Sequence, residues 1–358
     1  MKDWKIKLEK VREKIEQLGI DAILISHLPH IRYLTGFSGS SALCFVSKKD
    51  AILITDFRYK EQVKIQVKHF KKLIATGKSL LDITSEKNIM QNLKRVGFEA
   101  DHASFAFVLE LKRTFKNVKF FPVKNLIEEI SAVKTAEEIE NIKSAIKISE
   151  KVFNEVLKLI KPGISELDIA SEISYLHKKY GAEKDAFDII VASGWRSALP
   201  HGVASAKKIK KGEFIVIDFG CVFNGYHSDI TRTIVVGKAT SEQKKIYQIV
   251  FDAQSRAIEN AKSGLKANIL DSIARNYIKQ KGYGKFFGHS LGHGIGVEIH
   301  TLPRISPKSN YVLQNGNVIT IEPGIYIPNF GGVRIEDDIL INSTPQVLTT
   351  LPRNLIEI

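Results

Sequence analysis

The sequence predicts two domains, an α/β domain over residues 1–131 and an α+β domain over residues 132–358 with an internal repeat. Three observations carry this expectation. Short apolar runs alternate with helical patterns through the first 130 residues. The pattern changes near Ala132, and a helix-start signal follows at Thr135. Two segments of the second part superpose at an offset of 101 residues, which pairs Gly163 with Gly264 and Gly181 with Gly282. A chain of 358 residues has material for two ordinary cores.

The elements follow in order. Trp4, Leu8, Val11, Ile15 and Leu18 recur at helical spacing, and Gly19 is placed to end that helix. Strand-like DAILIS comes next, then AILIT at 51–55, KLIAT at 72–76 and KFFPV at 119–123, with helix-like YKEQVKIQV between them. TAEE from Thr135 sets a hydroxyl three residues before a glutamate, the pair that satisfies the open N–H groups of a helix start. IKPGISELDIASEISYLHKKYGA from Ile160 and AKSGLKANILDSIARNYIKQKGYG from Ala261 each hold one helix between paired glycines. His177 falls on the first of these helices and is expected at its surface. Two like halves make a site between them natural.

Composition excludes several classes of function. At 44% hydrophobic and 26% charged, with no apolar run near the ~18 residues of a membrane span, the chain reads as globular with no membrane partner. Its first twenty residues read as an amphipathic helix, not a signal peptide, so a cytoplasmic location is expected. Cys44 and Cys221 are too few for a disulfide framework, which suits a reducing compartment. The net charge of +14 invites a nucleic-acid partner. Stretches such as KLEKVREKIEQ interleave lysine with glutamate, the pattern of a solvated face, so none is expected.

The chemistry concentrates in four segments. In EFIVIDFGCVFNGYHSDITRTIVVG, Asn224-Gly225 between β-branched runs signals a two-residue hairpin turn. With that turn, Asp229 lies opposite residue 220 and becomes a diagonal neighbour of Asp218 on one face. Two like charges on one face of an apolar hairpin call for a cation between them. NVITIEPGIYIP ends an apolar strand on Glu322, and GGVRIEDDIL sets Glu336 between Ile335 and Asp337; glutamate is seldom buried unpaired. The fourth segment is GHSLGHGIGVEIH. His289 and His293 stand four apart, yet the glutamate of a zinc helix is absent and four glycines disfavour a helix, so an irregular strand or loop is expected. One histidine and four carboxylates make a mostly hard ligand set, suited to two divalent cations, manganese first with cobalt or zinc as alternatives.

These motifs resemble the pita-bread metallopeptidases, and within them the Xaa-Pro aminopeptidase and prolidase branch. HIRYLTGFSGSSA and TDFRY are similar to the N-terminal domain shared with creatinase, and KTAEEIENIKSAIKISE to the helix that opens the catalytic domain. SALPHGVAS, IDFGCVFNGYHSDITRT, GHGIGVEIH, IEPGIY and GGVRIEDD are similar to the site motifs in order. The resemblance implies a creatinase-like α/β domain over 1–131 and an α+β pita-bread catalytic domain over 132–358. It implies Asp218 as ligand of one metal, His293 and Glu322 as ligands of the other, and Asp229 and Glu336 as bridges. His201 and His300 would meet substrate and transition state, with Glu322 also a proton shuttle, while His289 and Arg334 would line the substrate side. Arg304 sits where prolidases often place an arginine for a dipeptide's carboxylate.

The activity so implied is release of the N-terminal residue from peptides with proline second, with Xaa-Pro dipeptidase as the alternative. A homodimer is implied as well. Of the rivals on this fold, creatinase lacks the metals and methionine aminopeptidase usually lacks such an N-terminal domain. A non-catalytic binding module on the same fold would have lost ligands that are all present here.

Overall fold

A computed structural model of the chain describes residues 3–358, which divide in sequence into two compact units between Ser131 and Ala132. In the first unit α1 (Asp3–Gln17) buries Leu8, Val11 and Ile15, and Gly19 leaves the helix at φ 62°. There follow β1 (Ala22–Ile25), α2 (Leu28–Thr35), β2 (Ala42–Ser47), β3 (Ala51–Asp56), α3 (Lys60–Gln66), β4 (Lys71–Ala75) and α4 (Leu80–Glu86). The unit closes with β5 (Arg95–Glu99), α5 (Phe105–Thr114), β6 (Lys119–Val123) and α6 (Leu126–Ala132). The six strands form one mixed sheet in the order β4-β3-β2-β1-β5-β6. All four residues of β1 are buried, as expected of a central strand covered on both faces.

The second unit opens with α7 (Ala136–Leu157), where Thr135 N–H donates to Glu138 Oε2 at 2.8 Å and Thr135 Oγ1 accepts from Glu138 N at 3.3 Å. Next come α8 (Glu166–Lys179), β7 (Lys184–Asp185), β8 (Ile190–Ser193), β9 (Phe214–Phe219), β10 (Cys221–Phe223), β11 (Tyr226–His227) and β12 (Ile230–Val235). The second half holds α9 (Ser241–Asn260), α10 (Ala267–Gln280), β13 (Gly292–Gly294), β14 (Thr301–Ile305), β15 (Val318–Ile321), β16 (Gly324–Ile327), β17 (Gly331–Arg334) and β18 (Asp337–Leu340), with two short strands after it.

The repeat is structural. Helices α8 and α10 start and stop at equivalent positions, and the glycines ahead of them, Gly163 and Gly264, have φ of 94° and 89°. Each donates its N–H to a later chain segment, Gly163 to Ile209 O at 2.9 Å and Gly264 to Leu313 O at 2.8 Å. Ile215, Ile217 and Phe219 of β9 and Ile230 and Ile234 of β12 pack with α7 and α8. Ile319 and Ile321 of β15 and Ile339 of β18 pack with α9 and α10.

Because side chains alternate along a strand, that packing leaves Asp218 and Thr231 on the opposite face of β9 and β12. The turn residues Asn224 and Gly225 have φ of 48° and 82°, as the two-residue turn requires. Register runs unbroken from Val222 opposite His227 to Asp218 opposite Thr231. Only glycine fits at 220, where a Cβ would lie 1.9 Å from Ser228 O.

One expectation fails in this unit. His177 is fully buried rather than on the surface, with Nδ1 2.7 Å from Asp185 Oδ1 and its ring 6.2 Å from that of Phe219. It stands one turn beyond Ile173, so the helical period carries it onto the same inward stripe.

Candidate metal centre

Five carboxylate and imidazole side chains converge from the ends of short strands in the two halves. Asp218 is the fifth residue of β9, and Asp229 enters β12 across from Gly220. Glu322 follows β15, Glu336 lies between β17 and β18, and His293 is the middle residue of β13. The halves are joined at this point by backbone, since Glu336 N–H donates to Thr231 O at 3.1 Å. Ligand-type atoms of Asp229, His293 and Glu336 all lie within 4.8 Å of one another.

Neighbouring side chains fix these groups. Thr231 Oγ1 donates to Glu336 Oε2 at 2.6 Å and accepts from Arg334 Nε at 3.1 Å. Arg334 also pairs with Asp218 Oδ2 at 2.5 Å and donates to Tyr326 Oη at 2.8 Å, and Tyr326 Oη is 3.0 Å from His289 Nε2. Nδ1 of His293 is 3.1 Å from its neighbour's carbonyl, Gly294 O, so Nδ1 carries the hydrogen. Its Nε2 then faces Glu322 Oε1 at 3.3 Å and Asp229 Oδ2 at 3.6 Å.

The electrostatics ask for positive charge. Burial pushes the carboxyls of Asp229 and Glu336 well above the carboxylate range, and mutual repulsion adds to it, from Glu336 and Asp218 on Asp229 and from Glu322 and Asp218 on Glu336. Asp218 is raised by burial despite its arginine. Burial acts on Glu322 too, but the adjoining His293 with His289 and Arg334 outweighs it and holds the carboxyl low, at about 2. Burial lowers both His289 and His300, and His293 lowers His300 further. Asp218 Oδ1 and Glu336 Oε1 are buried with no hydrogen-bond donor among the described residues. Unsatisfied carboxylate oxygens aimed into a cluster of acids fit a bound cation, and the oxygen-rich donor set fits a hard divalent one.

The cluster opens into a cavity of about 520 Å³. All ten residues singled out from the sequence line it: the five above together with His201, His289, His300, Arg304 and Arg334. His300 packs its ring 4.4 Å from that of His293, and His300, His201 and Arg304 are all exposed at the rim.

Sequence reasoning missed Thr231, Tyr326 and Asp338, whose buried carboxylate accepts from Asp229 N at 3.3 Å. The hairpin register, which places Thr231 opposite Asp218, held the signal for the first, and the β16–β17 hairpin that sets Tyr326 near Arg334 held one for the second; Asp338 depends on a contact between segments 109 residues apart. The segment of 288–296 forms the irregular strand expected of it, with a register shift between Gly292 and Gly294. A Cβ on Gly292 would lie 2.0 Å from Thr320 O and one on Gly294 2.1 Å from Leu302 O, so it is neighbouring strands that exclude side chains here.

The model of metallopeptidase family M24 matches residues 140–343, and that of the creatinase/prolidase N-terminal domain matches residues 7–133. A Xaa-Pro dipeptidase of Pyrococcus horikoshii is 43% identical over 356 residues, covering 98% of both chains. Among solved structures, a Xaa-Pro dipeptidase from Bacillus anthracis is 42% identical with a TM-score of 0.96, covering 99% of this chain and 100% of that one. An X-Pro aminopeptidase from Thermotoga maritima is 40% identical with a TM-score of 0.90, covering 96% of this chain and 100% of that one.

Proposed function

As the chain belongs to metallopeptidase family M24, with a creatinase-like domain ahead of its pita-bread catalytic domain, we propose that it is an Xaa-Pro dipeptidase. The observation that carries the peptidase chemistry is the convergence of four carboxylates and His293 with two buried carboxylate oxygens that lack donors among the described residues. The order of the two substrate readings drawn from the sequence is reversed. Relatives from Pyrococcus horikoshii and Bacillus anthracis carry the dipeptidase name at 43% and 42% identity, and Arg304 offers a cation to a dipeptide's carboxylate on the wall of the same cavity. Action on longer Xaa-Pro peptides is the second reading, favoured by the Thermotoga maritima relative.

In the proposed centre Asp218, Asp229, Glu322, Glu336 and His293 hold two divalent ions, manganese first with cobalt or zinc as alternatives. When bound, such ions supply an acidified water and a counter-charge to a polarised carbonyl. The protein's own groups do the rest. Arg334 and Thr231 keep the carboxylates of Asp218 and Glu336 in place. Glu322 accepts a proton from the attacking water and delivers it to the departing nitrogen. His300 and His201 donate hydrogen bonds to oxygen as charge develops on the scissile carbonyl. Proline's nitrogen has no hydrogen to offer, so this site must recognise the ring by shape.

The test compares Xaa-Pro with Xaa-Pro-Xaa substrates in wild type and Arg304→Met. The dipeptide should be the better substrate, and the variant should raise its KM by roughly 10- to 100-fold, the scale of one charge-assisted contact, while leaving the tripeptide little changed. Preference for the tripeptide, indifferent to Arg304, would establish the second reading instead.

A further inference from the structure

The N-terminal unit holds a second concentration of ligand-type side chains. His27 caps the start of α2, His30 lies within its first turn, and His102 follows β5 in the loop before α5. Ring nitrogens of all three lie within 4.8 Å of one another. The rings of His27 and His102 are stacked 3.7 Å apart at 15°, and His30 meets them edge-on at 4.6 and 5.1 Å.

Carboxylates stand behind two of the three. Glu99, buried at the end of β5, accepts through Oε2 from the backbone N–H groups of Ser26 at 2.7 Å and His27 at 2.9 Å. Its Oε1 is 2.6 Å from Nδ1 of His30. A carboxylate only accepts, so Nδ1 of His30 carries the hydrogen and Nε2 keeps its lone pair. His102 is arranged likewise: its Nε2 is 3.3 Å from Glu128 Oε1, which leaves the lone pair on Nδ1. A carboxylate that takes the far N–H of an imidazole fixes its tautomer and raises its basicity, the support found behind ligating histidines.

We propose that His27, His30 and His102 form a site for one transition-metal ion of borderline softness, zinc, nickel or copper. Three neutral imidazoles select these ions over manganese, which prefers oxygen. The site therefore differs in metal preference from the acidic centre of the second unit. Parallel rings cannot aim their in-plane lone pairs at one ion, so ligation turns His102 out of its stack with His27. The His102 side chain is 24% exposed and sits on a loop, which gives it room to turn. The ion ties the start of α2 to the loop after β5, two segments distant in sequence, and leaves a fourth position to water.

The test is nickel binding to the full chain in excess manganese at pH 7.5, measured by equilibrium dialysis with metal analysis for wild type, His102→Ala and His293→Ala. Wild type and His293→Ala should each hold a nickel ion that His102→Ala binds at least tenfold more weakly. That ion should be released near pH 5 as the imidazoles protonate, and His102→Ala should retain full peptidase activity and its circular dichroism spectrum. Equal nickel binding by His102→Ala and wild type would overturn the proposal and leave the three rings as a stack at a helix start. Loss of the same ion in His293→Ala, with retention in His102→Ala, would overturn it too by placing the nickel in the acidic centre.

Discussion

Which nitrogen of an imidazole carries hydrogen decides what the ring can do, and two of the four histidines around the acidic cluster, His293 and His300, are set up differently. His293 is tied at Nδ1 by a carbonyl and presents Nε2 to Glu322 and Asp229. His300, one ring away, has its pKa lowered from the ordinary imidazole value by partial burial and by His293, which favours the neutral ring. A neutral ring can donate one hydrogen bond to a substrate oxygen without bringing a positive charge close to the cations. His293→Ala should accordingly lower metal content and turnover together. His300→Ala and His201→Ala should keep both ions and depress kcat by roughly 10²- to 10³-fold, the scale of one lost oxyanion donor. Metal-to-protein ratios and kcat for the three variants decide the matter. A metal-depleted His300→Ala beside a metal-replete His293→Ala would exchange their roles.

Helix α8 shows at the scale of an element what sequence period can and cannot say. Its start, its stop and its flanking glycines repeat in α10, and local rules sufficed to read them because caps and positive-φ glycines act within a few residues. The hairpin of β9 to β12 was legible for the same reason: Asn224-Gly225 fixes the register that brings Asp218 and Asp229 to one face. His177 was misread because a polar residue on an apolar stripe is ambiguous until its partner is known, and Asp185 arrives only when β7 packs beside α8. Asp338 stayed hidden on like grounds, since the backbone of Asp229 reaches it only where the two halves meet, whereas Tyr326 lies eight residues from Arg334 in the local hairpin of β16 and β17 and was within reach of a hairpin reading. His177→Ala would empty a buried site and strip Asp185 of a partner, so a loss on the order of 3 kcal/mol is expected in urea unfolding. KM for the folded variant should stay at its wild-type value. A loss below about 0.5 kcal/mol, the range of a surface change, would contradict the burial.

For the whole molecule, the metals are expected to be part of what holds the second unit together. Without cations, folding brings Asp229 and Glu336 into a buried cluster where burial and neighbouring carboxylates raise both pKa values well above those of the unfolded chain. A carboxyl with a raised folded pKa stabilises the fold in its protonated form. That contribution is complete below about pH 4, the unfolded value, and is lost as pH climbs through the folded value. The metal-free unit should therefore weaken as pH rises above about 4, while bound cations take the place of the protons and remove the loss. An ion present at a hundred times its Kd adds about 2.7 kcal/mol to the folded state. For a unit of this size that moves the melting point by roughly 5–10 °C. Trp195 is the single tryptophan of this unit and Trp4 the only other in the chain, so Trp4→Phe protein reports the melting of the second unit by fluorescence alone. Chelation should lower that transition clearly at pH 7.5 and much less at pH 5.5, where protons already compete for the same oxygens. An equal drop at both pH values would mean that the carboxylates of this cluster do not exchange protons for metal, and the electrostatic account of the centre would fail with it.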